Sequence, residues 1–190
     1  NGVDLSVFRP KKSNIKDRLG IGKRKIILGV ASTWSTNKGL KDFIELNKLI
    51  TSDYVIVLVG LSKQQITEMP NNIISLPRTR DTNELVELYS AASIFYNASV
   101  EETFGLPTVE AMACGTPAIV YDCTALPEVV TPDSGKVVEP NRVDQVWNEI
   151  QKIEKEPFEA NHIIENAKRY DKDTQYQKYL SLYEKIIKEN

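Results

Sequence analysis

Two carboxylates bracket a glycine turn. Glu102 and Glu110 are separated by seven residues, with Gly105 between them and Pro107 just beyond it. A short apolar strand at 94–97 leads into this turn. Gly105 lets a ligand approach the backbone where a side chain would block it. Pro107 suits the first turn of a helix, because its missing N–H is one the helix could not use. Leu106, Val109 and Ala113 give that helix a buried face, Gly115 stops it, and Thr116-Pro117 carry the chain into a further strand at 118–121. Unpaired N–H groups at a helix start carry partial positive charge and form a ready anion site, above all for phosphate. Carboxylates repel phosphate, so the partners expected for the two glutamates are hydroxyls. The pattern points to a phosphate flanked by polyol groups, as in a nucleotide sugar. One glutamate near a helix start is ordinary, since it favours the dipole. The reading rests on the whole constellation.

The elements that must position these residues alternate along the chain. Residues 25–30 form a continuous apolar strand, the kind buried on both faces of a parallel sheet. After the loop 31–37, Lys38-Gly39 opens a helix with Leu40, Phe43, Ile44, Leu46 and Ile50 on one face. A second strand at 54–59, a short helix at 63–69 and a third strand at 73–76 follow, then the loop Pro77-Arg78-Thr79-Arg80. Leu85, Leu88, Tyr89 and Ala92 mark an amphipathic helix before the central stretch. Beyond it come a loop at 122–127, a helical turn near Glu128, a last strand at 135–138, and helical stripes at 143–153, 163–167 and 176–187. Strands alternating with helices imply βαβ units: an α/β fold, one parallel sheet of about six strands with helices on both faces. Lys38, Arg78, Glu102 and Gly105 all follow strand ends, where such sheets bind ligands. Residues 1–22 read as a polar linker, 23–170 as the domain, and 171–190 as a terminal helix.

Composition narrows the function classes. The 190 residues are 41% hydrophobic and 26% charged, with net charge −2, which fits one globular domain with its own core. Opposite charges are interspersed, so nucleic acid is not an expected partner. No apolar run approaches membrane-spanning length. Cys114 and Cys123 fit neither a CxxC pair nor a disulfide framework and read as reduced thiols. His162 is the sole histidine, which disfavours a Cys/His metal site and a Ser-His-Asp triad. Gly20-Ile21-Gly22 precedes the first strand and lacks a third glycine, so it reads as a turn.

Glu102 and Glu110 at this spacing, with Phe104-Gly105 between them and Glu110-Ala111-Met112-Ala113-Cys114-Gly115-Thr116-Pro117 after, resemble the donor-binding signature of retaining GT-B glycosyltransferases of the group 1 type. The resemblance implies a Rossmann-like fold, the C-terminal half of GT-B. It implies that Glu102 contacts sugar hydroxyls, that Glu110 contacts ribose hydroxyls, and that the intervening amides hold a diphosphate. Thr103, Phe104, Gly105, Leu106 and Thr108 would line the pocket. Lys38 would reach the diphosphate, although a lone lysine there would otherwise be a solvated surface residue. Arg78 and Thr79 would pass the base. Many family members carry an arginine where Val30 stands, which leaves one phosphate cation unassigned, with Arg80 as a candidate. Trp34 reads equally as a ligand contact or as an aromatic covering the core. Asp171-Lys172-Asp173 imitates a DxD metal motif but precedes a helix, where aspartate is an ordinary N-cap.

The implied activity is hexosyl-type glycosyl transfer from a UDP- or GDP-sugar, with retention and without a metal cofactor, in polysaccharide or glycolipid assembly. Lys38 and Glu102 would be the catalytic residues. The start at Asn1-Gly2-Val3-Asp4, followed by Phe8-Arg9-Pro10, resembles the family's interdomain connection. The expected whole is therefore longer, with a saccharide or lipid-linked acceptor held by an N-terminal domain and the isolated half inactive. The terminal helix would pack towards that domain and leave some of its tyrosines exposed here. A cytoplasmic enzyme with peripheral association at the inner membrane face is the corresponding expectation. A nucleotide-sugar epimerase of GT-B build and a non-catalytic nucleotide-binding module are the alternatives.

Overall fold

The computed structural model describes residues 1–189. Six strands form one parallel sheet: β1 (Lys25–Val30), β2 (Tyr54–Val59), β3 (Ile74–Leu76), β4 (Ile94–Asn97), β5 (Ala118–Tyr121) and β6 (Gly135–Val138). Their spatial order is β3-β2-β1-β4-β5-β6. The helices are α1 (Ile15–Arg18), α2 (Leu40–Leu49), α3 (Lys63–Glu68), α4 (Thr82–Ala91), α5 (Leu106–Ala113), α6 (Leu126–Val129), α7 (Val143–Lys155), α8 (Ala160–Lys168) and α9 (Lys172–Glu189).

Successive strand residues point to opposite faces, so two cores form. In β1, Ile26 and Leu28 join Val86, Tyr89, Val109, Met112, Leu126 and Ile163 on one face. Ile27 joins Phe43, Leu46, Val146 and Ile150 on the other. All six residues of β2 are buried, which is why that strand reads as an unbroken apolar run.

Residues 1–22 are more ordered than a linker. They include α1, and Val3, Ile15 and Ile21 are buried in the first core. Val3 donates to the Tyr170 carbonyl (2.8 Å) and accepts from the Lys172 amide (3.0 Å), forming an isolated bridge to Asp171. The Lys172 ammonium binds Asp4 at 2.6 Å, holding that carboxyl down at about 2. Asp171 accepts from the Thr174 amide (3.0 Å) and so caps α9. Beyond this tie, α9 leaves Tyr176, Tyr179, Leu180 and Tyr183 exposed.

The entry to α2 is set by one close approach. A single 3₁₀ turn, Thr36–Lys38, ends at Gly39 with φ +70°. A Cβ here would overlap the Ala98 carbonyl and methyl. The Val100 amide donates to the Asn37 carbonyl at 3.0 Å, and Asn37 Nδ2 donates to Glu101 at 2.8 Å. Behind them, the Tyr96 hydroxyl donates to Tyr121, and Tyr121 donates to Asp42 in the first turn of α2, both at 2.7 Å. The loops after β1 and β4 are thereby locked together.

Gly39→Ala meets both the left-handed backbone and the overlap with Ala98. It should lower unfolding free energy by about 2–4 kcal/mol, measured as a shift in the urea midpoint; an unchanged midpoint would contradict the close approach.

Candidate functional site

The parallel order reverses between β1 and β4. The connections leaving those strands run in opposite directions, and a crevice opens outside their carboxyl ends. A cleft of about 200 Å³ lies there, between Val30 at the end of β1, Ala31 and Ser32 just after it, and residues 102–107 after β4, with Lys38 at its side. It is smaller than the usual pocket for a whole ligand, about 300–1,000 Å³.

Each wall has a local cause. Gly105 takes φ +86° as the residue before α5, and a Cβ there would press on Leu126. Pro107 sits in the first turn of α5 and contributes no N–H. The Phe104, Gly105 and Leu106 amides make no hydrogen bond among the described residues. Free amides at a helix start carry partial positive charge. Phe104 packs edge-on against Tyr170, ring centroids 5.4 Å apart. Asn97, at the end of β4, accepts from the Ser99 amide (3.1 Å) and donates to the buried Thr108 hydroxyl (3.1 Å). This clamps the turn to the helix.

Lys38 and Glu102 meet in the cleft as an ion pair. Ser99 Oγ donates to the same Glu102 oxygen at 3.2 Å, and the Glu102 amide donates to Thr124 Oγ1 at 2.9 Å. Thr124 holds φ +50°, a strained conformation for a β-branched residue. Glu110, further along α5, accepts from the Tyr89 hydroxyl at 2.9 Å. Burial raises its carboxyl above the ordinary carboxylate range, with the Tyr89 bond opposing.

The structure gathers Lys38, Glu102, Thr103, Phe104, Gly105 and Leu106 around one cleft. Thr108 does not line it: the residue is fully buried and its hydroxyl is engaged by Asn97. Glu110 stands deeper along α5, outside the cleft walls. Arg78 and Thr79 lie in the loop after β3, likewise outside them. Arg80 lies outside the cleft walls as well, its exposed guanidinium bound to Glu84 at 3.1 Å. Val30 forms an apolar patch of the cleft wall instead. Trp34 belongs to the core: it is buried, donates to the Val59 carbonyl at 2.9 Å and meets Phe43 edge-on. His162 is exposed on α8. Ser99, Thr124 and Tyr170 hold the site yet were not singled out from the sequence, and Tyr89 was read only as part of a helix face. Ser99, three residues before Glu102, had a local signal; the other three become neighbours only through the fold.

Residues 11–170 match the family glycosyl transferases group 1. The O-antigen chain mannosyltransferase RfbU of Salmonella typhimurium is 30% identical over 186 residues, covering 93% of this chain and 49% of that protein. The chain spans about half the length of the curated relatives it matches. Among solved structures, sucrose-phosphate synthase from Thermosynechococcus elongatus superposes with TM-score 0.84 at 23% identity, covering 100% of this chain and 52% of that one. Anabaena HepE, solved in complex with UDP, superposes with TM-score 0.82 at 23% identity, covering 97% and 56%. These likenesses show the GT-B type of α/β fold, and the match over residues 11–170 shows that the chain belongs to the glycosyl transferases group 1 family.

Proposed function

We propose that this domain binds the nucleoside-diphosphate sugar donor of a hexosyl transferase that retains anomeric configuration. The observation that carries the reading is the cleft at the reversal between β1 and β4, with Lys38 and the free amides of residues 104–106 around it. A lysine and oriented amides meet a diphosphate with fixed positive charge. That charge would stabilise the leaving group as the glycosidic bond breaks, the electrostatic contribution that commonly dominates such catalysis. Glu102 would hold sugar hydroxyls. Glu110 would hold the ribose, with Tyr89 occupying one of its carboxylate oxygens. The size of the cleft supports a shared site, in which a second domain closes over the sugar and brings the acceptor. HepE's complex with UDP and the O-antigen relative support a nucleotide-sugar donor and a role in cell-surface polysaccharide or glycolipid assembly. Work on the cytoplasmic side, at the inner membrane face, completes the reading. No metal is assigned to the site, since lysine and amides meet the charge.

Calorimetry with UDP and GDP tests this directly. The 190-residue chain should bind one of them, equally well in EDTA, and transfer no sugar. Absence of binding to both nucleotides and to their sugar conjugates, or binding that EDTA abolishes, would overturn the corresponding part of the proposal.

Lys38→Ala should weaken that binding roughly ten- to hundredfold, the size of one charge-assisted hydrogen bond, with little change in the melting curve. Unchanged affinity would return Lys38 to the role of a surface lysine.

Glu110→Gln should weaken the bare nucleotide and its sugar conjugate alike, by about tenfold. The ionised carboxylate accepts from the ribose, and burial raises its pKa. Wild-type affinity should therefore fall on acidification at a pH above the ordinary carboxylate range. The Gln variant should lose that dependence. A pH profile shared by both forms would remove Glu110 from the site.

A further inference from the structure

In the cleft the two side chains assigned to opposite ends of the donor hold each other. Lys38 and Glu102 are the only lysine or arginine and the only carboxylate side chain among the residues lining it, and they are paired. Their side chains are 28% and 15% exposed, so water screens the pair less than it would on the open surface. Neither backbone is placed to retreat. Lys38 precedes the left-handed Gly39 wedged against Ala98, and the Glu102 amide is tied to Thr124. Ligand entry must therefore proceed by side-chain exchange within a fixed frame.

We infer that this ion pair makes the cleft select the intact donor over the bare nucleoside diphosphate. The inference rests on the donor-site reading above. A bare diphosphate draws the Lys38 ammonium to its phosphate oxygens. Glu102 then loses its counter-ion while a second negative group arrives beside it. Ser99 Oγ, already donating to Glu102, is a neutral donor and does not replace the lost charge. A sugar conjugate takes Lys38 in the same way but brings hydroxyls that donate to Glu102 as the pair opens. Specificity is a difference of affinities, and here the unfavourable half of that difference falls on the ligand without a sugar. Glu102 thus has two roles: it favours the sugar and it disfavours the released diphosphate. The second role promotes product departure after transfer.

The test compares wild type with Glu102→Gln and Glu102→Ala by calorimetry, using UDP, GDP, UDP-glucose and GDP-mannose. The base giving the tighter wild-type complex is carried through the series. Removing the carboxylate charge frees Lys38, so the bare diphosphate should bind roughly three- to tenfold more tightly, the size of one partly screened charge interaction. The conjugate should bind more weakly, and the preference for it should collapse. The alanine variant keeps the test decisive if the glutamine variant folds poorly. If wild type binds a bare diphosphate and both variants bind it no more tightly, the inference is overturned and the donor site stands. If wild type binds none of the four probes, the donor-site reading itself fails, and the inference with it.

Discussion

The parallel pairing of β1 with both β2 and β4 is the constraint on which the site depends. A strand with a parallel neighbour on each side sends its following connection to one side, while β4 sends its own to the other. The crevice between them is a consequence of strand order, and its chemistry comes from what stands at the two strand ends. After β1, Ala31 and Ser32 are small and leave room. After β4, the chain turns through Asn97 and Ser99 to Glu102, then through the left-handed Gly105 into α5. Lys38 belongs to the first connection and Glu102 to the second. Gly39 against Ala98 brings the two within reach.

Electrostatics in the site follow from this meeting. Sixty-four positions separate Lys38 and Glu102 in sequence, yet Lys38 is flanked by Asn37 and Gly39, which contact Val100 and Ala98 of the other loop, and the Glu102 amide is tied to Thr124 in the loop after β5. Thr124 accepts a strained backbone and anchors the Glu102 amide. Strain of this kind persists where the surrounding structure over-determines it, and it clusters at functional sites. Glu110 is handled differently: it is half-buried beside α4 with Tyr89 as its donor, so its charge is carried in a less polar setting than that of Glu102.

Much of the framework was legible because its signals are local. The strand Tyr54–Val59 is apolar throughout and Lys25–Val30 is apolar from Ile26 onward, since both faces of the sheet are covered. The turn, Pro107 and Gly115 announced α5 and its end. Residues 1–22 carry only scattered apolar residues with no regular period, so their burial was invisible; Val3, Ile15 and Ile21 join a core shared with α4, α5, α8 and the strands, which no short window contains. Arg80 was read as a candidate for the unassigned cation position, and the structure pairs it with Glu84, four residues on, outside the cleft walls. Thr108 lies within the sequence pattern yet turns inward, because a buried Asn97 claims its hydroxyl. Trp34 could be read either way from the sequence, and the Val59 carbonyl decides for the core.

The bridge between Val3 and the segment leading into α9 has a mechanical consequence. Val3 is hydrogen-bonded to both Tyr170 and Lys172, and Asn1, two residues upstream, borders the cleft. Tyr170 also bears on Phe104, a wall residue of the same cleft. The inner end of the long outer helix is therefore tied to two sides of the cleft. A body seated on the exposed tyrosines of α9 would load, through that tie, the rim formed by Asn1 and Phe104.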